Sequence, residues 1–335
     1  MGFSSRRVVV TQRFFDKTAA SLLARHGCEV DLLEPPPGRG DGDLGEDDLV
    51  RLLDGAGGWI VGHARVTRTL LEALPELVVV SRRGVGYERV DLDAARDLGR
   101  VVTIAAGGND ASVADHAVGL MLAVGRRFRE SQALMESGKW SILMGSDLYR
   151  KTVGVVGLGR IGRSLVQRLS GFEAEVLIHT PRADPAFASE MGASFVSLDE
   201  LLARSDYVSL HAPLTPETRF LIDAAAIGRM KPSAILVNTA RGGLVQDADL
   251  LAALECGRLA GAGLDVFMSE SDPTFLPITQ KLLALPNVVA TPHAGASTRE
   301  GLDRTNLIAA QSVIAVLDGG DPAPECVVAD GRRGR

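Results

Sequence analysis

The chain has 335 residues, of which 46% are apolar and 23% charged, and its formal net charge is −6. That length implies about two domains, the composition suits a globular α/β protein, and the acidic balance excludes the basic footprint of a nucleic-acid binder. No apolar run reaches the ~20 residues of a membrane span, no apolar segment follows Met1 to suggest a secretory leader, and Cys28, Cys256 and Cys326 are too scattered for a disulfide framework or a zinc site, so a reducing cytoplasm is expected.

In chain order, Val8, Val9 and Val10 give an apolar β-branched run, and a first strand is expected over 7–11. A helix follows over 14–26 with Gly27 as its stop. A strand is expected over 30–33, then a Pro-, Gly- and Asp-rich loop over 35–45. Helices over 49–53, 70–74 and 92–98 alternate with strands over 59–61, 78–81 and 101–104, the pattern of a small parallel-sheet domain. A long apolar helix is expected over 112–135, with Val113, Ala117, Leu120, Met121 and Val124 on one side. The second half alternates again. Its strands are expected over 153–156, 176–178, 207–210, 234–238, 261–264 and 288–290, and its helices over 160–169, 198–203, 224–230 and 247–255. A terminal helix spans 298–317, and Arg332, Arg333 and Arg335 read as a frayed tail.

Residues 153–162 read Val-Gly-Val-Val-Gly-Leu-Gly-Arg-Ile-Gly. The valines make a short buried strand, and Gly157, Gly159 and Gly162 then fall in the spacing G-x-G-x-x-G. Ile161, Leu165, Val166 and Leu169 follow at helical spacing. Strand, glycine turn and helix together are the context of a dinucleotide fingerprint. Gly157 permits the tight turn, Gly159 lets backbone approach a pyrophosphate, and Gly162 lets helix pack on strand. Arg160 and Ile161 open the helix, where free N–H groups and the positive end of the macrodipole favour phosphate. Because this unit starts near residue 151, the first ~100 residues form a separate domain. The terminal helix is expected to return to that first domain.

In the fingerprint, an acidic residue ~20 positions on binds the ribose of NAD. Here that strand ends Leu177-Ile178-His179-Thr180-Pro181-Arg182, and Thr180 holds the expected place. Thr180 can donate to a 2′-phosphate and Arg182 can pair with one, so the sequence leans toward NADP over NAD.

Three later strands each end in a reactive residue. The first is followed by Thr239-Ala240-Arg241-Gly242-Gly243, the second by Asp265 and then Glu270, the third by Thr291-Pro292-His293. Ligands lie at the carboxyl ends of strands in open α/β sheets, so Arg241, Glu270 and His293 can converge beside a cofactor. Arginine clamps a carboxylate with two prongs. Histidine titrates near neutrality, and a neighbouring carboxylate orients it and raises its pKa. A carboxylate clamp, a general acid and its orienter are what hydride delivery to a 2-oxo acid requires. No metal site is expected. His116 and His179 read as structural or cofactor-adjacent.

With these motifs in view, the chain resembles the D-isomer-specific 2-hydroxyacid dehydrogenase family from about residue 75 to 315. The resemblance rests on Arg82-Arg83-Gly84-Val85-Gly86, Val113-Ala114-Asp115-His116, the glycine turn, His211-Ala212-Pro213-Leu214-Thr215, Asn238 to Gly243, Gly263-Leu264-Asp265-Val266-Phe267 and Pro292-His293. It implies an α/β fold of two doubly wound parallel-sheet domains, with a Rossmann cofactor domain (106–295) inserted into a flavodoxin-like substrate domain (1–105 and 296–335). It implies Arg241, Glu270 and His293 as the catalytic trio. Thr239, Ala240, Arg241 and Asp265 then border the nicotinamide, and His211, Ala212 and Pro213 stand with the cofactor contacts. Val85 and Gly86 offer N–H groups to the substrate carboxylate. A homodimer through the cofactor domain is also implied, with no nucleic-acid or membrane partner.

There are departures. Ser271, Asp272 and Pro273 follow Glu270, where the family usually has an immediate Pro. Val85 argues against phosphite and Glu270 against formate as substrate. Residues 35–65 match poorly and hold an expected specificity loop, His63 to Arg65; Arg83 is unusually basic for its place, and with Arg65 it would suit a substrate with an anionic far end. The expected activity is reduction of a 2-oxo acid such as glyoxylate, hydroxypyruvate, 3-phosphohydroxypyruvate or phosphonopyruvate, with NADP(H) or NAD(H). The alternative is a non-catalytic NAD(P)-sensing, corepressor-like regulator.

Overall fold

The computed structural model describes residues 5–33 and 40–332. The chain divides into two compact units, Met1–Asn109 with Ala296–Arg335, and Asp110–Gly295. The first unit begins β1 (Arg7–Val10), α1 (Lys17–Arg25), β2 (Glu29–Leu32), α2 (Glu46–Leu53), β3 (Gly58–Val61), α3 (Arg68–Ala73), β4 (Val79–Arg82), α4 (Leu92–Asp97) and β5 (Val101–Ile104). The second runs α5 (Asp110–Gly125), α6 (Phe128–Glu136), β6 (Thr152–Val156), α7 (Arg160–Leu169), β7 (Glu175–His179), α8 (Pro185–Met191), β8 (Ser194–Phe195), α9 (Leu198–Arg204), β9 (Tyr207–Leu210), α10 (Ala224–Arg229), β10 (Ile235–Asn238), α11 (Asp247–Glu255), β11 (Gly261–Leu264), α12 (Leu276–Ala284) and β12 (Val288–Ala290). The chain then returns to the first unit with α13 (Arg299–Leu317) and β13 (Val327–Asp330).

In the first unit the sheet order is β13-β5-β4-β3-β1-β2, parallel except for β13. In the second it is β12-β11-β10-β9-β6-β7-β8, parallel throughout. Each order reverses direction once, between β1 and β3 and between β6 and β9, which makes both sheets doubly wound. Alternation along each strand feeds two cores. In β1, Val9 packs on one face, and Val8 and Val10 on the other with Ala309, Ala310 and Val313 of α13. In β6, Val153 and Val155 face α5 and α7, and Val156 faces the opposite core. Strands buried on both faces read as continuous apolar runs, which is why they were legible.

Several expectations need correction. The helix over 112–135 is two helices. The stripe that α5 buries ends at Val124 and Gly125, whereas α6 buries none of its residues. Nothing therefore keeps the second segment in line with the first. Arg127 takes a left-handed conformation at φ 54° and bonds Glu130 from the new helix. In the expected loop at 35–45, residues 35–39 lie outside the described residues, and the described part contains a 3-10 turn, Asp41–Asp43. Arg332 is no frayed tail: it reaches Asp330, Asp321 and the Gly320 carbonyl beside the added antiparallel strand β13. Arg333 and Arg335 lie outside the described residues. Among the described residues no helix is long and apolar enough to cross a membrane.

Candidate active site

β6 runs straight into the glycine turn. Gly157 has φ +100°, and a Cβ there would lie 2.7 Å from the backbone of His211 and Ala212. Both the conformation and the space demand glycine. A Cβ on Gly162 would sit 2.1 Å from the Gly157 carbonyl oxygen, so α7 packs directly on the turn. Gly159 instead faces open space, with nothing within 4 Å. It is the N-cap of α7, and no side chain caps that helix. Asp184, Ser197 and Asp223 cap α8, α9 and α10. The first turn of α7, with Arg160 and Ile161, is thus left for an outside acceptor, and a pyrophosphate fits.

Two buried side-chain atoms at the same sheet edge, His211 Nδ1 and Thr239 Oγ1, have no partner among the described residues. His211 Nε2 lies 2.8 Å from Ser209 Oγ, and burial pushes its imidazole down to about 4, so the ring is neutral. Ala212 is half-buried and Pro213 exposed beside it. At the end of β7, Thr180 is half-buried and Arg182 exposed. Asp184, the next carboxylate in sequence, caps the Phe187 N–H and pairs with Arg163 at 2.9 Å. These bonds hold it below the usual carboxylate range.

The three reactive residues meet inside the second unit. Asn238 ends β10 and shapes the next turn, donating from Nδ2 to the Arg241 carbonyl at 2.9 Å and accepting the Ala240 N–H at 3.1 Å. Gly242 follows because a Cβ would lie 2.2 Å from the Phe267 carbonyl carbon. That contact presses the Arg241 turn onto the Glu270 turn. Glu270 is fixed by its own backbone, with Oε1 accepting the Phe267 N–H at 2.7 Å, and Oε2 lies 2.6 Å from His293 Nδ1. An ionised carboxylate only accepts, so Nδ1 carries the proton of this bond. The bond to Glu270 raises the His293 pKa, burial and the Arg241 charge oppose it, and the net shift is upward. The departure at Ser271 and Asp272 leaves this pair intact. Asp272 instead caps a further short turn by accepting the Thr274 N–H.

Sequence reasoning missed how His293 is held. Its φ is +54°, a left-handed conformation that costs a non-glycine residue energy. Asp265 secures it. The Asp265 carbonyl accepts the His293 N–H at 2.8 Å. Its carboxylate accepts from Thr291 Oγ1 at 2.5 Å, the Ala294 N–H at 2.7 Å and the Gly295 N–H at 2.9 Å. His116 Nε2 joins the network through Thr291 at 2.8 Å. Burial works to raise this pKa, and the hydrogen bonds outweigh it, so Asp265 stays ionised. The residue expected to border the nicotinamide therefore directs its carboxylate at the histidine loop. Asp247, also buried, stands behind the Glu270 turn on one long bond from the Met268 N–H, 3.4 Å. Burial raises its pKa to about 6.

The residues expected to bind substrate lie in the first unit. His63 and Arg83 line one cavity there; Val85 and Gly86, in the turn after β4, and the exposed Arg65 do not. Residues 118–295 match the family described as D-isomer specific 2-hydroxyacid dehydrogenase, NAD binding domain. A D-3-phosphoglycerate dehydrogenase of Mycobacterium leprae is 44% identical over 322 residues, 94% of this chain and 58% of that protein. The chain thus spans about half the length of the curated phosphoglycerate dehydrogenases it matches. A glyoxylate reductase of Thermococcus litoralis is 38% identical, covering 77% of this chain and 79% of that one. The crystal structure of the TT0316 protein from Thermus thermophilus superposes with a TM-score of 0.85 at 38% identity, covering 96% of this chain and all of the other. The family match covers more than half of the chain, including the glycine turn and the histidine loop, and this chain belongs to the D-isomer-specific 2-hydroxyacid dehydrogenase family.

Proposed function

We propose that the protein is an NAD(P)-dependent oxidoreductase interconverting a small 2-oxo acid and its D-2-hydroxy acid. The observation that carries this is the 2.6 Å pair of His293 and Glu270, formed beside an arginine whose charge the imidazole senses. A dinucleotide held at the glycine turn and the first turn of α7 would supply the hydride. Arg241 holds the substrate carboxylate through its fork of N–H donors. Glu270 fixes Nδ1–H, which leaves His293 Nε2 to give its proton to the carbonyl oxygen as the hydride arrives. In the reverse direction the neutral ring takes that proton back. The substrates that fit are glyoxylate, hydroxypyruvate, 3-phosphohydroxypyruvate and phosphonopyruvate. Asp265, filled by donors from the histidine loop, is a positioning residue for His293.

The cofactor is NADP(H) in preference to NAD(H). Exposed Arg182 supports this by offering a charge to a 2′-phosphate, and Asp184 is engaged by Arg163. The chain works as a homodimer through its cofactor unit. Phe128, Met135, Trp140, Ile142, Met144 and Tyr149 lie close in sequence and are 50–96% exposed, an apolar load that a second copy covers. The three free cysteines fit a reducing cytoplasm.

Incubation with NADPH and the four acids will oxidise the cofactor with at least one of them. His293→Ala will lower kcat by ~10²–10⁴-fold, the usual worth of general acid catalysis; an unchanged rate removes His293 from the reaction. Reduction needs the protonated ring, so kcat/KM will be level at low pH and fall as pH rises through the raised His293 pKa. Glu270→Gln removes the main cause of that rise and will move the fall to lower pH, toward the ordinary value of about 6.5. A fall that stays in place assigns the titration to another group. Arg182→Ala will weaken NADPH by roughly 10–100-fold, the worth of a charge-assisted bond of about 1.5–3 kcal/mol, and leave NADH nearly unchanged. Equal losses for both would sink the NADP preference. Native mass spectrometry will show a dimer that Trp140→Ser with Ile142→Ser converts to monomer; a monomeric parent protein excludes this interface.

A further inference from the structure

Helix α5 lies along β11 in a fixed register. Side chains alternate along a strand, so Gly261, Gly263 and Asp265 share one face of β11 and its continuation, where the Asp265 N–H still bonds the Asn238 carbonyl of β10. A Cβ on Gly261 would lie 2.6 Å from Val124 Cγ1, and one on Gly263 would lie 2.8 Å from Leu120 Cβ. Val124, Leu120 and His116 are spaced four apart and stand on one stripe of α5. The two glycines therefore let the helix settle onto the strand, and the third pair of the series is Asp265 with His116. There the contact turns from apolar to polar. His116 Nε2 stands 2.8 Å from Thr291 Oγ1 and 3.4 Å from Asp265 Oδ1. Gly295 packs against both residues, since a Cβ on it would lie 2.9 Å from Asp265 Oδ2 and 3.5 Å from His116 Cδ2.

The hydrogen bonds fix the state of the His116 ring. Ionised Asp265 only accepts, so the single proton of the Thr291 hydroxyl goes to Oδ1. Toward His116 that hydroxyl has only a lone pair to offer, and Nε2 must carry a proton. His116 is thus a donor, and it heads a chain that runs from Nε2–H to Oγ1–H to Oδ1. In such a chain each bond polarises and strengthens the next. Burial works to raise the Asp265 pKa; of the bonds that outweigh it, the one from His116 ranks first, ahead of those from Thr291, Gly295 and Ala294. Asp265 in turn holds the His293 N–H through its carbonyl and the next two N–H groups through its carboxylate. Without the His116 donor a buried negative charge loses part of its compensation, and the left-handed backbone at His293, φ 54°, loses part of what enforces it.

We propose that His116 is a positioning residue for His293, its Nε2–H holding the histidine loop in place through Thr291 and Asp265. The catalytic consequence rests on the reductase reading above; the hold on the loop does not. Two measurements keep them apart. Amide hydrogen exchange of the whole protein, followed residue by residue by NMR, reports the bonds from Ala294 and Gly295 to Asp265 without any turnover. His116→Leu will speed exchange at these two amides about tenfold or more and leave the β11 amides unchanged, because only a local opening becomes easier. In steady state the same variant will lower kcat by about tenfold or more, toward the ~10²-fold that a small misplacement of a reacting group can cost, with KM within about twofold. His116→Gln keeps an N–H donor where Nε2 stands and will recover most of both losses; a side chain that merely fills space would show no such recovery. Where His116→Leu fails to fold, Thr291→Val cuts the same chain at nearly the same volume and will show the same two changes. Unchanged exchange in a folded His116→Leu, or faster exchange in an active enzyme whose kcat is intact, overturns the proposal. Faster exchange that His116→Gln reverses, in a protein that reduces none of the four acids, supports the proposal and overturns the reductase reading instead.

Discussion

The candidate site depends on one buried carboxylate. Asp265 leaves β11 with almost no exposure and gathers the whole segment that carries His293, through two backbone N–H groups, one hydroxyl and its own carbonyl. An ionised group in a protein interior is costly unless hydrogen bonds replace its water. Here they do so, and the direction of the Asp265 pKa records which effect wins. The cost of holding His293 at positive φ is met by the same network.

A comparison of three carboxylates shows how their surroundings decide their roles. Asp265, with several short bonds, remains charged and rigid. Asp247, equally enclosed, has one long bond and the repulsion of Glu270, and burial carries its pKa up to about 6. Glu270 has one oxygen fixed by its own turn and the other on His293, so its negative charge is aimed at a single nitrogen. Residue type alone would rank these three as equals.

Close approach of backbone is the second recurring constraint. The Gly157 turn touches the strand end at His211, and the Gly242 turn touches the Glu270 turn, each at distances that no Cβ allows. The first contact brings the fingerprint against the next strand in the sheet. The second joins two loops that are separate in sequence, and that junction sets Arg241 beside the histidine pair. The first unit shows the same economy at Asp41, where one carboxylate ties the ends of β1 and β3 together.

Much was legible in the sequence because it is local. Valine runs buried on both faces specify strands, glycine spacing specifies a turn that only glycine can make, and a reactive residue just past a strand falls at the sheet edge where ligands bind. Arg241, Glu270 and His293 each follow a strand in this way, and the fold brings them together. What the sequence could not carry depends on partners far along the chain. The break at Arg127 follows from which face of a helix finds a core. Strand β13 pairs with the edge that β5 offers, and the short run Val327-Val328-Ala329 gives no sign of that in the sequence. The carboxylate of Asp265 could have faced a cofactor or a loop with the same neighbours in sequence. Only the folded chain brings Thr291, Ala294 and Gly295 within hydrogen-bonding distance, and that geometry decides which of the two it holds.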